Sequence, residues 1–188
     1  SYETIIEKKS SDEYNLRILH CEKKRDRKNY YIHIAICPTK NHSRVEWFVE
    51  KAVEIGIDEI TFVFAKNTER KKIKYARIQK ITISSMKQSQ RFYLPKINEM
   101  ISMKDFLSNC DNKEKYIGHL GDGKREMLMS TAKQKSNYCV LIGPEGDFTS
   151  DEIIESVGCG FKPISLGDNR LRTETAGIAA CHILNIIN

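Results

Sequence analysis

The sequence predicts an α/β protein built on a doubly wound, mostly parallel sheet, with a short all-β segment in front of it. Three observations carry this prediction. From about residue 30 onward, short β-branched runs alternate with helix-like stretches, the pattern of βαβ units. Two glycine-bearing loops, Ile142-Gly143-Pro144-Glu145-Gly146-Asp147 and Leu166-Gly167-Asp168-Asn169-Arg170-Leu171-Arg172-Thr173-Glu174-Thr175, each follow an apolar run and precede a helix-like stretch, the position at which open α/β sheets bind ligands. Residues 1–28 break this pattern: two strand-like runs flank the polar stretch Lys8 to Glu13, and a strand pair alone is only marginally stable. The expected division is therefore residues 1–28 as the last strands of a truncated β-domain, and 29–188 as the α/β domain.

Taken in order, Tyr2 to Glu7 and Tyr14 to Leu19 read as the strand pair. The basic run from Lys23 to Lys28 reads as a linker or an electrostatic contact. Tyr31-Ile32-His33-Ile34-Ala35-Ile36 is a strand that ends before Pro38. Val45, Phe48, Val49, Ala52 and Val53 then share one face of a helix, which Gly56 should cap. The next strand is Ile60 to Phe64. Residues 70–91 are basic, and their length favours a helix in which Arg70, Lys74 and Arg77 line one face, with Lys80, Lys87 and Arg91 further along: a phosphate-binding strip, or simply a solvated surface. Further strands are expected at Lys115 to Leu120, Tyr138 to Ile142 and Lys162 to Leu166, with helices between them and Ser102 and Thr149 as caps. Thr149 and Glu152 have capping-box spacing. The last helix, from about Thr173 to Ile187, is apolar nearly all round and needs burial on several sides, in the core or in a dimer.

Composition narrows the function classes. Of 188 residues, 40% are hydrophobic and 30% charged, which is globular rather than disordered. No apolar run approaches the roughly 20 residues that span a bilayer, and the opening stretch has no apolar signal-like core, so the expected location is the cytoplasm. Lysine and arginine number 31 against 25 acids, a net charge of +6, which favours a polyanionic partner. Six cysteines are scattered without C-x-x-C spacing, so reduced thiols and no metal site are expected.

The loops carry the chemistry. Gly143 and Gly146 permit close backbone approach, and Pro144 stiffens the turn between them. Such a loop offers backbone amides and carbonyls to a planar heterocycle. Glu145 and Asp147 make it anionic, and neither a phosphate-loop signature nor G-x-G-x-x-G follows a strand, so ATP and NAD are not supported. In the second loop Arg172 sits at the start of the final helix, where an anionic oxygen is favoured by both the guanidinium and the helix N-terminus. The alternative is an Arg172–Glu174 ion pair that locks the loop, with Thr173 as the cap.

Taken together, Leu141-Ile142-Gly143-Pro144-Glu145-Gly146, Leu166-Gly167 and Leu171-Arg172-Thr173-Glu174-Thr175-Ala176 resemble the SPOUT class of methyltransferases. More narrowly they resemble the RsmE family, which methylates N3 of a uridine in small-subunit (16S) ribosomal RNA. Pro38-Thr39-Lys40, Arg44, Glu46-Trp47, Glu50-Lys51-Ala52, Glu54-Ile55-Gly56 and Lys87-Gln88-Ser89 are also similar to that family, so the resemblance runs from about Ile32 to the C-terminus. It implies a SPOUT-type sheet with a C-terminal trefoil knot, S-adenosylmethionine bound in the knot, a homodimer formed through it, and an N-terminal PUA-like β-barrel of which residues 1–28 would be a remnant. By the same resemblance the cofactor would lie among Leu120, Ile142, Gly143, Glu145, Gly146, Leu166, Gly167, Leu171 and Arg172. Lys40, Arg44, Gln88 and Arg91 would meet RNA. Arg172 is expected to stabilise charge on the uracil oxygen and Glu174 to act as base. The competing readings are a non-catalytic RNA-binding relative and a metabolic α/β enzyme for another nucleotide.

Overall fold

The computed structural model describes residues 2–11, 13–21, 28–121, 123 and 125–188. Strands β1 (Tyr2–Lys8) and β2 (Tyr14–Cys21) pair antiparallel as a separate two-stranded sheet. Ile6, Leu16 and Ile18 on this hairpin are exposed. Of the basic run that follows, residues 23–27 lie outside the described residues. Lys28 does not trail into solvent: its ammonium pairs with Asp58 at 2.7 Å and donates to the Gly56 carbonyl at 2.5 Å.

The main sheet follows from β3 (Tyr31–Ile36), whose side chains alternate between two apolar layers, as a strand buried on both faces must. Ile32, Ile34 and Ile36 pack with α1 (His42–Ile55) and α6 (Thr173–Ile186); Ala35 and Cys37 pack on the opposite face with Met103, Phe106, Phe148 and Phe161. The remaining elements are β4 (Glu59–Phe64), α2 (Tyr75–Gln88), β5 (Lys96–Ser102), α3 (Met103–Asn109), β6 (Glu114–Gly118), β7 (Glu126–Met127), α4 (Leu128–Thr131), β8 (Asn137–Ile142), α5 (Ser150–Gly158) and β9 (Lys162–Ser165). Strand order is β5-β4-β3-β8-β6-β9-β7, and every pairing in this sheet is parallel. The mostly parallel α/β sheet expected from the sequence is thus present.

Local chemistry sets the helix ends. Asn41 caps α1 by accepting from Ser43 N at 2.9 Å. Gly56, at φ 125°, closes the helix with its N–H on Ala52 O. The carbonyls left open there meet cations: Arg91 donates to Val53 O at 2.8 Å and Ile57 O at 2.9 Å, favourable both as hydrogen bonds and toward the negative helix terminus. Ser102 caps α3 by accepting from Asp105 N, and Thr149 and Glu152 form the full capping box of α5.

Two expectations for residues 70–91 need correcting. The helix begins only at Tyr75, because Arg70 is drawn into the preceding turn. Its guanidinium donates to the carbonyls of Thr39 and Lys40 and lies 2.6 Å from His42 Nε2. The phosphate strip is interrupted as well: Arg77 pairs with Glu46 and Arg91 is spent on α1. Lys74, Lys80 and Lys87 remain exposed. The strands β5 and β7 and the single turn α4 were not anticipated. Both are edge strands, so pairing with a neighbour rather than burial on two faces defines them.

On the face shared with α3 the floor of the sheet turns polar toward the strand starts. His33 Nε2 lies 2.8 Å from Thr61 Oγ1, and Nδ1 lies 3.4 Å from Asn112 Oδ1. Asn112 Oδ1 can only accept, so the neutral ring carries its proton on Nδ1 and His33 Nε2 accepts from the Thr61 hydroxyl, which itself accepts from the Asn98 amide at 2.7 Å. Burial, only partly opposed by Glu59, lowers the His33 pKa from its ordinary 6.5. The unfolded chain therefore takes up a proton at this position before the folded one does. The stabilisation is complete above pH 6.5 and is lost as pH falls below it.

Two outcomes test this packing. Gly177 of α6 faces α1 so closely that a β-carbon would lie 2.6 Å from Phe48 Cε2 and 3.1 Å from Ile36 Cδ1. Gly177→Val should therefore cost about 1–3 kcal/mol by overpacking, read in denaturant unfolding. In His33→Gln, the drop in melting temperature between pH 7.5 and 5.5 should be smaller than in the unsubstituted chain, because the residue that charges only in the unfolded state is gone.

Candidate active site

The C-terminal ends of β6, β8 and β9 open into a cavity of about 600 Å3, at the edge of the sheet where parallel α/β folds place ligands. Its walls come from the loops after these three strands. Apolar surface is contributed by Leu120, Ile142, Ile164, Leu166, Leu171 and Ala176; Arg44, Arg125, Arg170 and Arg172 face it together with Glu145, Asp147 and Asp168.

The loop after β8 is held rigidly. Asp147 N bonds to Pro144 O at 3.0 Å and Asp147 takes φ 59°, a left-handed conformation that aspartate tolerates better than most residues. Its carboxylate accepts from Phe148 N and Leu120 N, both at 2.8 Å. The Asn67 amide donates to the carbonyls of Gly146 and Asp147. Glycine at 143 has a packing cause: a β-carbon there would lie 2.9 Å from the Phe148 ring. Glu145 accepts from Lys40 N at 3.1 Å and lies 3.8 Å from Arg44.

The loop after β9 turns at Gly167, whose φ of 142° suits glycine. Ser165 Oγ braces the turn, donating to Gly167 O and accepting from Gly167 N. Arg172 is the N-cap residue of α6 and is exposed, and Thr173 is the first residue of that helix. The expected Thr173 cap is absent. Instead its hydroxyl donates to Gly143 O at 3.0 Å and so fastens the second loop to the first.

Glu174 differs from expectation more sharply. It is 6% exposed, does not line the cavity, and packs beside Pro38, Thr39, Val45 and Phe48. Its partner is Arg44, at 3.6 Å, rather than Arg172. The structure therefore places this carboxylate behind the wall rather than facing the cavity.

Of the expected cofactor residues, Leu120, Ile142, Gly143, Glu145, Leu166, Gly167, Leu171 and Arg172 line the cavity. Gly146 does not; its carbonyl is turned to Asn67. Of the expected RNA contacts, only Arg44 lines the cavity. Lys40 is exposed near it and pairs with Glu69 at 3.0 Å. Gln88 is exposed at the end of α2. Arg91 lies away from the cavity and donates to the carbonyls of Val53 and Ile57 at the end of α1, where burial lowers its pKa. Sequence reasoning missed His119 and Arg125, which line the cavity from the loop after β6. His119 Nδ1 accepts from Gly121 N at 3.0 Å, and burial followed by the Arg125 charge lowers its pKa. A histidine near the end of the strand predicted over Lys115 to Leu120 was the available signal.

Comparison with known proteins gives the arrangement its relatives. The RNA methyltransferase domain family matches residues 26–185. A ribosomal RNA small subunit methyltransferase E from Mesomycoplasma hyopneumoniae is 36% identical over 150 residues, covering 77% of this chain and 64% of that protein. The chain thus spans less than two thirds of that relative's length. Among solved structures, a probable rRNA methyltransferase from Porphyromonas gingivalis superposes with a TM-score of 0.90 at 34% identity, over 98% of this chain and 80% of that one. A ribosomal RNA small subunit methyltransferase E from Neisseria gonorrhoeae, solved bound to S-adenosyl methionine, gives 0.83 at 25% identity, over 96% and 76%. The family match takes in the whole seven-stranded sheet and all three loops that wall the cavity, and on that ground the chain belongs to the RNA methyltransferase domain family, its curated relatives being ribosomal RNA small subunit methyltransferases E.

Proposed function

We propose that the chain carries the catalytic domain of an enzyme that uses S-adenosylmethionine to methylate N3 of a uridine in small-subunit (16S) ribosomal RNA. The observation that carries this reading is the pinned pair of loops: Thr173 joins the start of α6 to Gly143, and Arg172 stands exposed at the wall of the cavity thus formed. The cavity residues fit the cofactor. About 600 Å3 is within the size of small-molecule sites. Leu120, Ile142, Leu166 and Leu171 supply apolar walls for an adenine ring, while Glu145, Asp168, Arg44, Arg125 and Arg170 supply charge for an amino-acid moiety. S-adenosylmethionine would bring a methyl group on a positively charged sulfur.

The chain's own contribution is electrostatic. Uridine N3 becomes a competent nucleophile as it loses its proton to solvent water, and the resulting negative charge spreads to the uracil oxygens. Arg172, fixed at the N-terminus of a helix, provides a preorganised positive charge for those oxygens. Membership in the family and the cofactor found in the Neisseria structure support the reading.

The proposal extends to architecture. Residues 1–28 are read as the end of a PUA-like RNA-binding domain and 29–188 as the SPOUT domain; the separate, exposed hairpin supports this division. A trefoil knot in the C-terminal part is supported by the strand order, in which β8 lies between β3 and β6, two strands that precede it in the chain. A homodimer is supported by α6, where Ile186 is exposed and Ile178, Ile183 and Ile187 are only half-buried. A cytoplasmic site of action accords with a ribosomal substrate.

Calorimetry with S-adenosylhomocysteine, ATP and NAD tests the cofactor assignment: binding of the first alone is expected, and binding of only the last two sinks it. Arg172→Ala should lower methyl transfer to small-subunit RNA about 100- to 1000-fold, as loss of a preorganised charge does, with S-adenosylhomocysteine affinity little changed. Unchanged turnover would remove Arg172 from the chemistry. Thr173→Val, which unpins the two loops, should weaken S-adenosylhomocysteine binding about fivefold, the effect of one lost hydrogen bond.

A further inference from the structure

Glu174 is a buried carboxylate with incomplete satisfaction. One oxygen lies 3.6 Å from Arg44 Nε, and the other has no hydrogen-bond partner among the described residues. A pair kept only for stability would be expected to close its hydrogen bonds, because a buried, under-satisfied carboxylate is costly.

Arg44 is its counterpart in the open. It lines the cavity, its side chain is 35% exposed, and it lies between Glu174 at 3.6 Å and Glu145 at 3.8 Å. Both separations exceed hydrogen-bond length. Two carboxylates thus fix the position of the guanidinium charge while its N–H donors stay undirected. Glu174 does not line the cavity, and Arg44 does.

We propose that Glu174 is a positioning residue that acts through Arg44, holding the guanidinium at the cavity wall with its donors turned to an anionic oxygen of a bound ligand. This rests on the methyltransferase reading above. Two ligands share the required chemistry: the carboxylate of the cofactor's amino-acid moiety and a phosphate of the target RNA.

The test combines Glu174→Gln, Glu174→Asp, Arg44→Lys and the Arg44→Lys/Glu174→Gln double variant, with folding checked by thermal unfolding. Calorimetry measures the affinity for S-adenosylhomocysteine and for 5′-methylthioadenosine, which lacks the carboxylate. Transfer to small-subunit RNA, with the protein at its full natural length, gives kcat, KM and the pH profile.

Glu174→Gln is expected to raise either the S-adenosylhomocysteine Kd or the RNA KM about fivefold, the scale of one partly exposed ion pair, with partial recovery in Glu174→Asp and an unaltered pH profile. The double variant should be no worse than Arg44→Lys alone. A change confined to S-adenosylhomocysteine, sparing 5′-methylthioadenosine, identifies the cofactor carboxylate; a change confined to RNA KM identifies the phosphate. If Glu174→Gln instead abolishes kcat and its pH dependence with Kd and KM intact, Glu174 is a base and the proposal is overturned. Additive effects of the two substitutions overturn it too, as does a Glu174→Gln variant indistinguishable from the unsubstituted chain. Should Glu174→Gln not fold, the Glu174→Asp and Arg44→Lys arms decide. Failure of the unsubstituted chain to bind S-adenosylhomocysteine overturns the functional reading itself.

Discussion

The hydrogen bond from Thr173 to the Gly143 carbonyl is the contact on which the arrangement of the cavity depends. Gly143 follows β8 and Thr173 begins α6, and 30 residues of chain separate them. The bond sets the distance between the two loops and aims the first turn of α6 at the strand ends. Everything that lines the cavity from the second loop, Arg172 included, takes its position from that junction. The packing behind it is equally specific, because Gly177 lets α6 lie against Phe48 and Ile36 without a side chain between them.

Around this junction, charge is arranged in two tiers. Arg44, Arg125, Arg170 and Arg172 line the cavity itself. Arg70, Arg77 and Arg91 sit behind or beside it, and each is consumed by carbonyls, a histidine or a carboxylate of the protein. A net charge of +6 therefore overstates the cationic surface available to a polyanion. Whether a guanidinium is free depends on where neighbouring carbonyls fall, as at the C-terminal end of α1, where Arg91 satisfies one carbonyl of the last turn, Val53, and one just beyond it, Ile57.

Much of the fold was legible because its signals are local. Alternation in Tyr31 to Ile36, the apolar face of α1, Gly56 after Ile55, and the Thr149–Glu152 pair each act within a few residues, and each appears where expected. The edge strands β5 and β7 were not legible, since a neighbour's backbone defines them. Most of the candidate cofactor wall was legible through the loop motifs, and the exception is instructive. Gly146 belongs to the same motif as Gly143, yet it turns its carbonyl toward Asn67, 79 residues away in the chain.

The sequence by itself determined the α/β class, the positions of the central strands, the caps, and the two loops that meet at the cavity, because hydrophobic periodicity and capping are properties of short segments. Tertiary structure alone decided what each charged residue does. Arg172 and Glu174 are two residues apart, but in the first turn of a helix they point in different directions: one stands at the cavity wall and the other lies buried against α1, paired with Arg44. That partner comes from 130 residues earlier in the chain. No local pattern encodes such a pairing, since it exists only once α1 and α6 have packed on the same face of the sheet.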